Sequence, residues 1–191
     1  MTDNGPVFDK TFEGEDFSAK GLPGREYDNC TFIRCSFARA NLSGTDFFEC
    51  DFLHCDLSMT KTVNTGFRDV KFKDCKLLGI PFDRCNDILL AFRFENCSLD
   101  FSSFHQLKLK AIRFKDCKLE GVDLTMCDLS DSVFENCDLT GTVFENTILE
   151  NADFRTAFNF SIDPEINRLR KAKFSLQGAS GLLGKYGLVL E

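Results

Sequence analysis

Ten cysteines, two histidines and thirty carboxylates are the side chains in this 191-residue chain that could do chemistry. Thiols could hold zinc or pair as disulfides. Zinc sites need thiols at short spacing, such as C-x₂-C, that converge on one ion. Here the steps from Cys30 to Cys137 are multiples of five, apart from one of twelve between Cys85 and Cys97. Cys35, Cys55, Cys75, Cys97, Cys117 and Cys137 would lie above one another in a body that repeats after twenty residues. Neighbouring Cβ atoms would then run parallel at about 4.8 Å, wrongly aimed for a disulfide. The cysteines read as small apolar fillers kept reduced. His54 and His105 have no carboxylate or thiol at a fixed spacing, and acid–base chemistry needs groups that converge in a cleft. The glycines form no phosphate loop. The sequence predicts no enzyme, no cofactor and no metal.

The element that must position these residues has an unusual period. In "DSVFENCDLTGTVFENTILENADF", residues 131–154, a large apolar residue stands at Phe134, Leu139, Phe144, Leu149 and Phe154. A strand repeats every second residue and a helix about every 3.6; a step of five buries on neither. A chain that turns a corner after every five residues does bury it. Four sides make a square and twenty residues one turn, which is a solenoid signal. The beat runs upstream from Phe12 to Phe82, broken only at Thr62, and resumes at Phe94. Two extra residues sit in "DRCNDILLAFR", with Leu89 as the substitute centre. Two residues before each centre stands a small residue, as at Cys30, Ala40, Thr45, Ser102 and Val122, where close packing leaves little room. The remaining three positions are polar and turn-forming.

This pattern, from about residue 10 to 157, resembles the pentapeptide-repeat family. The resemblance implies an all-β right-handed quadrilateral β-helix. About seven coils stacked at about 4.8 Å would make a rod on the order of 35 Å long. The reading places the β-helix over residues 1–160 and a C-terminal helical cap over 161–191. Asp163-Pro164-Glu165 has the form of a helix start, so a helix is predicted to about Lys171, and Ala172 with Phe174 imitates one more quintet. The apolar set Leu182, Leu183, Tyr186, Leu188 and Leu190 either seals the last coil or forms a two-fold homodimer contact.

"SIDPEIN" and the tail are similar to the gyrase-protecting members of that family, of the microcin-immunity type and, more distantly, the quinolone resistance type. In those members a C-terminal element dimerises and an acidic rod imitates duplex DNA. The implied partner is DNA gyrase or topoisomerase IV, with no direct nucleic-acid binding. The net charge of −7 is unevenly spread. Residues 121–163 carry nine acids and one base, whereas residues 61–120 carry eight acids and twelve bases. The candidate partner-binding acids are Asp123, Asp128, Asp131, Glu135, Asp138, Glu145, Glu150 and Asp153. Against the mimic stand the positive middle, which includes Lys71, Lys73, Lys76, Lys108, Lys110, Arg113, Lys115 and Lys118, and the lack of long loops. A general protein-binding scaffold is the alternative, with Phe48, Phe101 and Ile88-Leu89-Leu90 as its outward apolar groups. The first residues lack the basic and apolar regions of a signal peptide, no apolar run reaches membrane-spanning length, and a cytoplasmic location is expected.

Overall fold

The computed structural model describes residues 5–188. Thr11–Glu13, Thr31–Ile33, Asp51–Leu53, Val70–Lys73, Phe92–Glu95, Arg113–Lys115 and Val133–Glu135 pair in parallel as a seven-stranded sheet. Val7–Phe8, Glu26–Asp28, Asp46–Phe48 and Gly66–Arg68 pair in parallel as a four-stranded sheet on another side. The other sides are joined by single parallel bridges, such as Asp16↔Ser36 and Ser103↔Asp123. Register advances by twenty residues per level, as in Phe12↔Phe32 and Phe32↔Phe52. The chain is an all-β solenoid of about six turns, and the bridges Val133↔Asp153 and Asp153↔Lys173 carry the larger sheet's side further.

The five-residue beat fills the interior. Along the larger sheet the rings of Phe12, Phe32, Phe52, Phe72, Phe94, Phe114, Phe134, Phe154 and Phe174 stack, with centroids 4.7–5.3 Å apart. Such pairs add about 0.5–1.5 kcal/mol each beyond area burial. The small residue two before each centre has a second duty that size alone did not disclose. At many of these positions a thiol or hydroxyl donates to a carbonyl of the coil below: Cys55 Sγ to Phe32 O at 3.3 Å, Thr65 Oγ1 to Leu42 O at 2.8 Å, Ser102 Oγ to Leu77 O at 2.7 Å. Cys, Thr and Ser suit this position because each is small and carries a donor. The residue two after the centre makes the corner with a positive φ, as at Asn29, Asp74, Asn136 and Gly141, which is why Asn, Asp and Gly recur there.

Thr62, which interrupts the run of large residues, is still buried at its centre, and its hydroxyl donates to Pro81 O at 2.8 Å. Two local expectations are corrected. Leu89 is not a centre. It stands outward at a left-handed corner of the bulge, and Phe92 fills the interior space, its ring 5.6 Å from Phe67 and 5.1 Å from Phe82. Phe92 reaches that space from a small-residue position, so the two extra residues are absorbed on the surface. Residues 163–171 form turns rather than a helix. The Asp163 carboxylate accepts the Glu165 N–H at 2.8 Å, which closes a turn instead of capping a helix. Ile162 and Asn167 occupy small-residue positions and are buried, so this segment builds another coil, and Phe174 stacks on Phe154 at 5.2 Å. Among the described residues helical character is confined to short 3₁₀ turns, one at Phe82–Arg84 just before the bulge and two at the end, Gly178–Leu182 and Gly184–Tyr186. No described helix is long and apolar enough to cross a membrane.

Candidate functional site

The candidate acids lie in the last coils, and consecutive quintets place them on different sides. The bridges Asp123↔Val143, Asp128↔Ile148, Val133↔Asp153 and Asp138↔Phe158 mark the four sides of this end. Asp123 and Glu145 belong to the first of these sides, Asp128 and Glu150 to the second, Glu135 and Asp153 to the third, and Asp138 to the fourth, with Asp131 at the corner after the second. They form a belt around the rod rather than one patch.

Members of the belt differ in how free they are. Where an acid stands just before a centre, its carboxylate accepts the N–H two residues on: Asp123 from Thr125 at 2.9 Å, Asp128 from Ser130 at 3.2 Å, Asp138 from Thr140 at 3.1 Å and Asp153 from Arg155 at 3.1 Å. These turn bonds bear on acidity. Burial raises Asp128, but the Ser130 hydroxyl and amide and then Lys110 hold it below the usual carboxylate value. Asp138 is lowered in the same way by Thr140 and Asn159 against a burial penalty. Asp153 is lowered chiefly by its hydrogen bonds to Arg155. Asp131 accepts from Asn151 Nδ2 at 3.0 Å, and Glu150 pairs with Arg168 at 2.7 Å. Glu135 and Glu145 point outward and make no side-chain hydrogen bond or ion pair among the described residues.

The cap closes the coil beside this belt. Ile162 N–H donates to Gly181 O at 2.9 Å, and Leu182 packs against the core. A methyl group at Gly181 would lie 2.7 Å from the Phe160 ring, so glycine allows the cap to lie flat on it. Lys185 Nζ bridges Asp163 Oδ1 at 2.8 Å and Glu165 Oε2 at 2.6 Å, and Tyr186 Oη donates to Glu165 Oε1 at 2.9 Å. Both carboxyls are thereby held below their ordinary values, by the Lys185 hydrogen bond first in each case. "SIDPEIN" is thus the surface to which the tail is fastened. Of the apolar set, Leu182 and Leu183 are half-buried, Tyr186 and Leu188 are exposed, and Leu190 lies outside the described residues. Leu176, Ile166 and Phe158, which the sequence did not single out, are also exposed at this end.

All ten cysteines are free, and all but Cys85 are buried. Burial pushes Cys50 and Cys127 up to about 12, and their thiols are occupied as donors to carbonyls. His54 and His105 lie 3.6 and 3.8 Å from Asp74 and Asp123, each pair on the open surface. Of the outward apolar groups, Phe48 is half-covered by the Arg68 guanidinium at 4.4 Å, whereas Phe101 is exposed and lies over Gly121.

A family model described as a pentapeptide repeat region matches residues 87–158, and one described as pentapeptide repeats (8 copies) matches residues 28–61. A trypsin-treated variant of QnrB1, a plasmid-mediated fluoroquinolone resistance protein, superposes with a TM-score of 0.76 at 18% identity, covering 98% of this chain and 92% of that one. Full-length QnrB1 superposes with a TM-score of 0.63 at 19% identity, covering 96% of this chain and 100% of that one. At these identities the likeness is one of fold. No curated protein matches the chain.

Proposed function

The chain belongs to the pentapeptide-repeat family, and from that premise we propose that it is a non-enzymatic acidic rod that binds a type II topoisomerase as a DNA mimic. In this reading it protects DNA gyrase, or topoisomerase IV, from a gyrase poison. The observation that carries the proposal is the belt of carboxylates around the capped end. DNA presents negative charge on every side of its axis, and a belt, unlike a single patch, imitates that. A basic DNA-binding saddle would be drawn to it from any rotation of the rod. The likeness of fold to a fluoroquinolone resistance protein over nearly the whole chain supports the same reading. The experiment that tests it is tolerance: cells making the protein should survive a higher dose of a gyrase poison than cells making a variant with a neutralised belt.

Pairing of two caps would bring two belts together at the centre of a longer rod. Leu176, Tyr186 and Leu188 are the outward apolar groups available for that contact.

The scaffold alternative is favoured by one observation. Met59 lies over Gly79 and Phe101 over Gly121, where an added methyl would meet them at 2.6 and 2.8 Å. These exposed groups share one corner of the solenoid and offer an apolar edge to a protein partner whose business is not DNA topology.

A further inference from the structure

The larger sheet carries two outward rows, and they differ in charge order. One row reads Leu53, Lys73, Glu95, Lys115, Glu135 in cross-strand register, so its cations alternate with carboxylates. Lys73 accordingly pairs with Glu95 at 3.1 Å. The other row reads Asp51, Lys71, Arg93, Arg113, Val133. Three cations stand directly opposite one another on adjacent strands with no carboxylate between them, and like charges so placed destabilise a sheet. Arg93 has one partner, Asp69 at 3.0 Å. Lys71 and Arg113 have no ion pair among the described residues, nor has Lys115 beside them.

The surface bulge adds shape to this charge. Where the two extra residues swing out, Leu90 stands as a wall beside the row and leaves a cleft of about 460 Å³, lined with Arg93, Lys108, Lys110 and Arg113 as well as Asp69. A second, smaller cleft of about 340 Å³ lies on the other flank of Arg93 and Arg113, lined by Lys71 and Lys115 and also by Glu95 and Glu135. The two guanidinium groups therefore form a ridge with open space on both sides.

We propose that this mid-rod face binds the phosphate backbone of duplex DNA. The proposal is independent of topoisomerase binding and departs from the expectation, implied by the family resemblance, of no direct nucleic-acid binding. A line of cations suits a linear polyanion better than a single enclosed anion. Three rungs about 4.8 Å apart cover about 10 Å, and one DNA strand offers a phosphate for about every 3.4 Å of axis over that length. An extended acidic peptide presents same-side carboxylates only about every 6.8 Å, a sparser match. Arginine, prominent in the row, is also the side chain best shaped for phosphate oxygens. The acids around the row, Asp51 at one end, Asp69 and Glu95 beside Arg93, and Glu135 and Asp153 at the other end, limit the footprint to three or four phosphates, so binding is weak and salt-sensitive.

The test is fluorescence anisotropy of a labelled mixed-sequence duplex with the whole protein, titrated from 20 to 200 mM salt. Neutralising about three to four phosphates predicts a slope of log K against log salt of about −2.7 to −3.6. Arg93→Gln with Arg113→Gln should weaken binding at least tenfold and flatten the slope by about two, with circular dichroism unchanged. Lys108→Gln with Lys115→Gln tests the same face should the first pair fail to fold. Neutralising Glu135 and Glu145 should leave binding unchanged or strengthen it. An affinity and slope unaffected by both cation pairs would overturn the proposal. So would binding of ATP or poly-glutamate in preference to duplex, or self-association abolished by the same variants in sedimentation.

Discussion

Lys185 reaches from the cap to Asp163 in the preceding coil, its ammonium 2.8 Å from Asp163 Oδ1 and held also by Glu165. The tail is thus fastened by charge as well as by packing. Lys185→Met should free the cap without unfolding the rod. The measurement is limited proteolysis: cleavage should appear within residues 175–188, while melting of the solenoid shifts by no more than a few degrees.

The same contact sets a pH dependence. Asp163 and Glu165 are held below their ordinary values by Lys185, so their contribution is present above the unfolded values, about 3.9 and 4.3, and is lost as pH falls through the folded ones. Lys185 is raised by the two carboxyls against a burial penalty; its contribution is full below an unfolded value of about 10.4 and fades as pH rises through its folded value. Cap docking, followed by hydrogen exchange over residues 175–188, should therefore be flat from about pH 5 to 10 and loosen outside that window. A midpoint near pH 7 would contradict the assignment.

The stacked rings predict where the rod is most sensitive. Phe114 is fully buried between Phe94 and Phe134 at 5.3 and 5.2 Å. Phe114→Ala should cost about 3–5 kcal/mol, read in urea denaturation. Leu89→Ala, at the outward bulge, should cost no more than about 0.5 kcal/mol. Equal effects would mean that the inward frame is misplaced.

The cysteines should be silent in the folded protein and fully countable in the unfolded one. Nine of the ten are buried out of reach of a reagent, and burial pushes the tenth, Cys85, up to about 12, so thiol reagents at pH 8 should show no fast phase. In denaturant without reductant, all ten should titrate. A count of two or fewer would indicate disulfides.

Much of this architecture is legible in the sequence because the repeat is short and its constraints are local. The Phe column and the cysteine column both follow from counting by twenty. Phe174 could be placed on Phe154 from "AKF" alone. The failures have physical causes. Asp163-Pro164-Glu165 offers the same acceptor to a helix and to a turn; stacking on the preceding coil, with Ile162 and Asn167 buried, decides for the turn. Leu89 kept the beat in composition but not in backbone, since a left-handed corner turns its side chain outward. The donor role of Cys, Thr and Ser is invisible until the coil below supplies a carbonyl. Counting acids by segment gathers them at one end of the rod, whereas the twenty-residue sorting that stacks the cysteines deals them to four sides. The cation row on the larger sheet needed the register across the bulge, where the step is twenty-two and not twenty.

The most direct measurement is gyrase supercoiling in the presence of a fluoroquinolone, comparing the native protein with Asp131→Asn, Glu135→Gln, Glu145→Gln and Glu150→Gln combined. Among the described residues only Glu150 of these acids forms an ion pair, and none accepts the N–H two residues on, so each change should cost no more than about 0.5 kcal/mol and leave the fold intact. The account predicts that the native protein restores supercoiling, more strongly at low salt where charge reaches further, and that the variant does not. Equal restoration by both proteins, or none by the native protein at low salt, would contradict it.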